Sequence, residues 1–496
     1  MLNNRVSSLF RYYYEVILIA IACIVAIALN HHVNLFGDDF ITFEQIRNYN
    51  MFELVSNLRY DAHPPIFYIL LKLYSGLVGT SILALKSFNV VSYVILIIGT
   101  YLEGRLLGNR RFALISACTL LLFPCMLNNP ILFLRMYLLA SLFIMSASVF
   151  AYQVYLNPSK QNRCMFILFS ICACFTHYYG AFFVAIVHLI LYVSLLKKNL
   201  HQWKWCITYS FAPIAVFLIW LPIFYQQLFL KIDKISDKTP FLSRLLKSVI
   251  YPFHTGTHLP DIDYLVYFFS IGLLLITLLL VFYFCTKVRS GYLKINPVEK
   301  VSLCVSIGLP IMIMILLVVI GGLTRPIWFG AYVTLFFPLM ALGLGYMVYQ
   351  MNRRWLVLWF IVLSICFAQK VFLQYEMCKD TGYADFKSLY DRGVITNSDI
   401  ILEANQATSI YFDKVSQYNN LDTIPDNWYR FQYDHIKRVE DYHSVVKDVD
   451  RFFSTKLIED ASIVNDGQFK LAKAFHFEIA YFWNNEVNLY LYQRRD

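Results

Sequence analysis

Apolar residues form long runs along the chain rather than short alternating segments. Eleven runs are long enough, or nearly so, to cross about 30 Å of hydrocarbon at about 1.5 Å per helical residue. Transmembrane helices are therefore predicted at residues 14–30, 82–103, 112–127, 131–156, 164–177, 180–196, 205–224, 263–286, 300–320, 328–349 and 355–372. The runs then stop, and short β-rich segments at 399–403 and 487–493 indicate a small α/β domain in the tail.

The connections between the apolar runs alternate in charge. Lys and Arg gather in every second connection, as they do on the cytoplasmic side of membrane proteins. The apolar run 64–77 fits this alternation only as a partial helix, because a full crossing would move the later basic clusters outside. The pattern predicts a cytoplasmic N-terminus, with the loop 31–63 and the tail from residue 373 on the extracytoplasmic side.

Composition excludes an ordinary soluble enzyme. Of the 496 residues 58% are hydrophobic and 15% are charged, and the mean hydropathy is +0.55; soluble proteins are about 25% charged. Residues 1–372 carry 28 Lys and Arg against 12 Asp and Glu, whereas residues 373–496 carry 14 against 20. We predict a multi-span domain at 1–372 and an extracytoplasmic α/β domain at 373–496. Because the basic excess orients the chain in the membrane, no nucleic-acid partner is expected.

Acidic residues are scarce before residue 373, where there are twelve, yet five of them fall in one stretch of 24 residues within the first outside loop. These five are Asp38, Asp39, Glu44, Glu53 and Asp61, and His63 comes two residues after the last of them. A carboxylate at a membrane exit is typical of a general base or a metal ligand. Asp38, after the turn-forming Gly37, is the strongest candidate, whereas Glu44 and Glu53 are expected to face water.

Several short motifs follow this loop in a characteristic order, and together they span most of the chain. They are Asp61-x-His63-Pro64-Pro65 before an aromatic-rich apolar helix, Gly104-Arg105-Leu-Leu-Gly108, Arg135-Met136-Tyr137, Thr176-His177-Tyr178-Tyr179-Gly180, and Arg325 before an aromatic span. The chain resembles the GT-C superfamily of membrane glycosyltransferases, in the branch of protein mannosyltransferases and bacterial aminoarabinose transferases. The fold that the resemblance implies is a polytopic α-helical membrane protein of about 11 spans and one partial helix, with the small α/β domain at its C-terminus.

The resemblance also implies a chemistry. An enzyme of this kind takes a sugar from a polyprenyl-phosphate carrier and transfers it to a lipid, glycan or protein acceptor outside the membrane, in this branch at the bacterial inner membrane. The essential acid of the family falls on Asp38, with Asp39 in the place usually held by Glu. Cations at the membrane boundary would stabilise the departing phosphate. The residues predicted to bind the substrate or the lipid phosphate are Asp61, His63, Arg135, Tyr137, His177 and Arg325.

Two questions stay open at the level of the sequence. Relatives often carry an acidic residue just before the Arg-x-Tyr motif, and none stands before Arg135 here, so a divalent metal ion is neither required nor excluded. The alternative function is a polytopic transporter or a flippase for lipid-linked glycans. Transporters usually have internal repeats and charges at the membrane midplane, whereas the acids of this chain cluster in an outside loop.

Overall fold

The structure is a computed structural model of the full chain. The residues that it describes are 13–31, 38–61, 63–127, 129–230, 241–256, 264–323, 330–378, 389, 392–396, 399–404, 428–430, 449–454, 469–478 and 486–495.

Helices dominate the described part of the chain up to Cys378. The α-helices are Tyr13–His31, Asp38–Asn48, Met51–Asn57, Ile66–Val78, Ile82–Leu107, Arg110–Leu122, Asn129–Leu132, Tyr137–Leu156, Lys160–Thr176, Tyr178–Lys198, Trp203–Leu230, Phe241–Ile250, Tyr264–Arg289, Pro297–Leu303, Leu309–Leu323, Phe337–Tyr349 and Arg353–Cys378. Shorter helical turns join them at Leu58–Tyr60, Pro124–Leu127, Leu200–Gln202, Tyr251–Phe253 and Gly330–Phe336, and Cys304–Gly308 is a π-helical turn.

The predicted crossings are largely confirmed. Within the described residues nine helices are long and apolar enough to span a membrane, and a tenth crossing results if the bent pair Arg110–Leu122 and Pro124–Leu132 is one span. The predicted crossing at 164–177 corresponds to the helix Lys160–Thr176, which has 17 residues. The apolar run 64–77 forms the helix Ile66–Val78, whose 13 residues extend about 20 Å. This helix is too short to cross, as predicted.

Two predicted boundaries were wrong. The span expected to begin at residue 131 begins at Tyr137, because Asn89 donates its side-chain amide to the carbonyls of Ile131 and Phe133 and the chain does not continue as one helix there. Arg135 therefore precedes the span instead of lying one turn inside it. The loop expected at 225–262 is partly helical, since Trp203–Leu230 continues into it and Phe241–Ile250 forms a further amphipathic helix.

Small residues allow the helices of the membrane region to approach closely. A Cβ atom on Gly180 would lie 2.5 Å from the carbonyl oxygen of Ala173, and one on Gly345 would lie 2.3 Å from Ser116 Oγ. In a membrane, where lipid tails are as apolar as the helices, such close van der Waals packing is a main source of helix association. These contacts hold together the bundle that presents the site described below.

The chain divides into two compact units. The first contains residues 1–30, 45–80 and 84–374, and the second contains residues 31–44, 81–83 and 375–496. In the second unit, β1 (Ile400–Ala404), β2 (Trp428–Arg430), β3 (Arg451–Ser454), β4 (Phe469–Glu478) and β5 (Glu486–Arg494) form a mixed sheet in the order β2-β1-β3-β5-β4. β1 runs parallel to β2 and β3, whereas β5 is antiparallel to β3 and β4. The α/β tail predicted from the sequence thus contains a five-stranded sheet.

Candidate functional site

A buried chain of polar groups joins Asp61 to Arg135. The hydroxyl of Tyr68 donates to Asp61 Oδ2 at 2.8 Å, and Arg135 Nη1 donates to the same hydroxyl at 2.9 Å. All three side chains are almost completely buried. The phenol therefore lies between the carboxyl group of Asp61 and the guanidinium of Arg135 and is hydrogen-bonded to both, which fixes the positions of the two groups relative to each other.

The local backbone places these groups. Asp61 follows the turn Leu58–Tyr60, and Tyr68 lies in the first turn of the helix Ile66–Val78. Arg135 lies in the non-helical segment before Tyr137, where its backbone N–H bonds to the carbonyl of Phe133 at 2.8 Å. Asn89 fixes that segment by donating to Phe133 O at 2.7 Å.

Aromatic and imidazole rings gather beside this chain of polar groups. The ring of His177 lies 5.4 Å from the ring of His63, 6.3 Å from Tyr137, 5.1 Å from Tyr179 and 5.4 Å from Tyr332, measured between centroids. Because His63 comes two residues after Asp61 and Tyr137 two residues after Arg135, the rings and the polar chain are parts of one site. We call the eight residues that form it the Asp61 site; they are Asp61, His63, Tyr68, Arg135, Tyr137, His177, Tyr179 and Tyr332.

His177 has one ring nitrogen available to a ligand. It lies between the helices Lys160–Thr176 and Tyr178–Lys198 and caps the second, its Nδ1 accepting from the backbone N–H of Tyr179 at 3.2 Å. An accepting Nδ1 carries no proton, so the neutral ring carries its proton on Nε2. Among the described residues this buried Nε2 has no hydrogen-bond partner. Burial, and secondarily the nearby His63, lowers the pKa of His177, so its Nε2–H is a neutral donor that an oxygen of a ligand can satisfy.

Gln227 ties the segment around His63 to the membrane helices. Its Nε2 donates to the carbonyl of Leu58 at 2.6 Å and to that of His63 at 3.1 Å. Its Oε1 accepts from the hydroxyl of Tyr178, which also accepts from Trp220 Nε1 at 3.0 Å. The His63 backbone is therefore held from the helix Trp203–Leu230, which was expected to end before residue 227.

Three residues of this region have little signal in the sequence, and a fourth, Lys86, has one that was missed. Tyr68 and Tyr332 are two of 36 tyrosines, and Gln227 falls in a segment interpreted as loop. Lys86 had a usable signal, because a cation one turn inside an apolar run is costly unless it has a partner. It is almost completely buried and lies one helical turn before Asn89, on the side that holds the Phe133–Arg135 segment.

The remaining predicted site residues lie elsewhere. Asp38 is the first residue of the helix Asp38–Asn48, and Asp39, fully buried, follows it. Gly37, the turn residue expected before Asp38, lies outside the described residues. Both belong to the second compact unit, whereas the Asp61 site belongs to the first. Arg325 lies outside the described residues. Within the described part of the chain, no three His, Cys, Asp or Glu side chains are grouped as a metal site would need.

Comparisons with known proteins give a structural likeness only. No protein-family model matches the sequence, and no curated protein is significantly similar to it. The crystal structure of ArnT from Cupriavidus metallidurans bound to undecaprenyl phosphate is similar over 97% of this chain and 98% of that chain, with a TM-score of 0.60 and 11% identity.

Two further structures are similar at lower scores. ArnT from Cupriavidus metallidurans in the apo state has a TM-score of 0.44 at 11% identity, over 97% of this chain and 98% of that one. The Archaeoglobus fulgidus oligosaccharyltransferase tethered with an acceptor peptide has a TM-score of 0.45 at 12% identity, over 86% of this chain and 61% of that one. At these scores neither likeness supports an inference of its own. The near full-length agreement with the undecaprenyl-phosphate-bound ArnT confirms that the chain has the GT-C fold that its motifs predicted.

Proposed function

We propose that the protein is a membrane glycosyltransferase that moves a sugar from a polyprenyl-phosphate donor to an acceptor on the extracytoplasmic face. The observation that carries the proposal is the Asp61 site itself. The site contains a buried guanidinium held through Tyr68, and it also contains a buried imidazole whose Nε2 has no hydrogen-bond partner among the described residues. Such donors suit a phosphate ester or a sugar hydroxyl, and they occur here in a protein of GT-C fold.

The leaving group explains why this site needs buried cations. When the bond between the sugar C1 and the phosphate oxygen breaks, negative charge develops on the lipid phosphate. Donors already fixed in a site of low dielectric stabilise that charge without reorganising. In this proposal Arg135 contacts the phosphate, His177 donates from Nε2 to an oxygen of the donor, and Arg325 and Lys86 add positive charge at the same boundary.

The attacking group requires a base. An acceptor hydroxyl is a weak nucleophile, and a carboxylate within hydrogen-bond reach can remove its proton as the new C1–O bond forms. We assign this role to Asp38, with Asp39 beside it in the chain, as the family resemblance implies. Asp61 is bonded to Tyr68, so its role is to position the phenol and, through it, Arg135.

The proposal fixes a location and an orientation. We place the protein in a bacterial inner membrane, with the N-terminus in the cytoplasm and residues 373–496 on the extracytoplasmic side. The Lys and Arg clusters of alternate connections support this orientation. Reporter fusions after Arg111 and after Asp496 test it, and a cytoplasmic report from the second fusion would overturn it.

Complementation with envelope analysis tests the function. Cells lacking the gene should lose one sugar from an envelope glycan, lipid or protein, detected as a fixed mass difference. Wild type should restore that mass, whereas Asp38→Asn should not, despite normal abundance in the membrane. Glu53→Gln is the matched control: this exposed carboxylate caps its own helix, and Gln can keep that cap. Normal glycosylation by Asp38→Asn would refute the assignment of the base.

A further inference from the structure

A cavity lies in the first unit, away from the Asp61 site. It has a volume of about 450 Å³. It is lined by the C-terminal halves of the helices Tyr137–Leu156 and Tyr178–Lys198, by the helix Phe337–Tyr349 from Leu339 onward, and by the segment 297–306. On the helix Tyr137–Leu156 the innermost lining residue is Ser148, about 16 Å along the helix from Tyr137. On the helix Tyr178–Lys198 it is Val187, about 15 Å along the helix from His177. These separations are about half the thickness of a hydrocarbon core, which is about 30 Å, so the cavity and the Asp61 site lie at different levels along the helices.

The cavity lining is mainly apolar, and several polar side chains lie at its opening. Val187 and Leu342 line the inner part, whereas Asn109, Tyr349 and Gln350 line the end near the basic connections. Asn109 Nδ2 donates to the hydroxyl of Tyr349 at 2.7 Å, which fixes one edge of the opening. A cavity of this depth and polarity matches an amphipathic molecule whose apolar chain points to the centre of the membrane.

Cations border two sides of the opening. The guanidinium of Arg111 lies 5.8 Å from the centre of the Tyr349 ring, and Lys198 Nζ lies 5.2 Å from the centre of the Tyr155 ring. Both tyrosines line the cavity. One acidic residue, Glu299, also lines it, and its Oε2 accepts from the backbone N–H of Asn296 and so caps the helix Pro297–Leu303.

We propose that this cavity binds an anionic glycerophospholipid of the adjacent leaflet, with one acyl chain inside and the phosphate between Arg111 and Lys198. The charge of the opening favours a negative head group, and basic pockets between transmembrane helices bind such lipids in other proteins. The site is separate from the Asp61 site and does not depend on the proposed transferase activity. It would anchor the ends of four helices to the lipid of one leaflet.

Native mass spectrometry of the purified full-length protein in detergent tests this inference. After delipidation, added phosphatidylglycerol should be retained as one adduct, and phosphatidylcholine should be retained less. Arg111→Gln and Lys198→Gln should each weaken phosphatidylglycerol retention about fivefold, and Ser302→Phe, which places a ring in the cavity, should abolish it. Glu299→Gln keeps the cap and removes the opposing charge, so it should strengthen retention.

Lys287→Gln is the matched control. Lys287 also lies over tyrosine rings at the same end of the bundle, those of Tyr283 and Tyr292, and neither of these lines the cavity. Its loss should leave retention unchanged. Equal retention of the two lipids, or an equal effect of Lys287→Gln and Arg111→Gln, would overturn the proposal. If Ser302→Phe does not elute as folded protein in size-exclusion chromatography, the lipid retention of the Arg111, Lys198, Glu299 and Lys287 variants decides the test.

Discussion

The phenol of Tyr68 is the group whose removal tests the Asp61 site most sharply. Tyr68→Phe keeps the ring and deletes only the hydroxyl that bonds to both Asp61 and Arg135. The carboxylate loses a donor and the guanidinium loses an acceptor, and both remain buried. The aromatic ring stays in place, so the variant changes the polar chain and keeps the packing of the ring.

Its magnitude follows from the two bonds. A hydrogen bond to a charged group contributes about 1.5–3 kcal/mol, and two are lost. Asp61 and Arg135 also have other interactions, so we expect a loss of stability of about 3 kcal/mol rather than the full sum. Because Arg135 then loses its fixed position, sugar transfer should fall about 100-fold, as small displacements of a catalytic group do.

Tyr74→Phe supplies the control. Tyr74 lies on the same helix, and its hydroxyl bonds to the neutral Ser87 Oγ at 2.7 Å. The same atomic change there should cost about 1 kcal/mol and leave transfer unaffected. The assay is thermal unfolding in detergent together with the transfer rate of each variant. Equal losses of stability for the two variants, or full transfer by Tyr68→Phe, would refute the reasoning.

The other predictions concern the groups around this chain. The folded-state pKa of His177 lies below the ordinary value of 6.5, so the unfolded chain binds the extra proton and stability should fall as the pH drops below about 6.5. In pH-dependent thermal unfolding, His177→Asn, which can keep the cap, should lessen that fall. Gly180→Ala forces a Cβ against a backbone oxygen and should lower the unfolding temperature, whereas Gly272→Ala, with open space around it, should not; unfolding of both variants checks this. Gln227→Leu removes the two bonds to the Leu58 and His63 carbonyls, so limited proteolysis should cut the segment before residue 64 faster than in wild type.

The sequence predicts the membrane region well because long apolar runs have few structural alternatives. The membrane fold and the short helix at Ile66–Val78 were predictable on that basis. The sheet segments at Ile400–Ala404 and Glu486–Arg494 were predictable from short β-rich runs in the tail. Boundaries were less predictable, since the side chain of Asn89 ends the helical continuity before Tyr137 by bonding to carbonyls more than 40 residues away. Hydrophobic pattern carries no information about such a contact.

The site was partly predictable for a related reason. Asp61, His63, Arg135 and His177 are charged or imidazole residues at the ends of apolar runs. The structure joins Asp61 to Arg135 through Tyr68 and places His63 beside His177. Tyr68, which joins two of them, belongs to one of the commonest types in this chain and has no local signature. Its role depends on a tertiary contact between residues 61, 68 and 135, which only the folded chain reveals.

The central claim is that this protein makes and breaks bonds to a sugar, and transfer in detergent solution tests it most directly. Purified protein would be mixed with lipid-linked sugar and envelope acceptor, both extracted from cells lacking the gene. Without a membrane barrier a transporter has no function, whereas a transferase should release free polyprenyl phosphate and add the mass of one sugar to the acceptor. We predict both products with wild type and neither with Asp38→Asn. The opposite result would be a wild-type protein that is folded and restores the glycan in cells but forms neither product in detergent. That result would contradict the proposed transferase function.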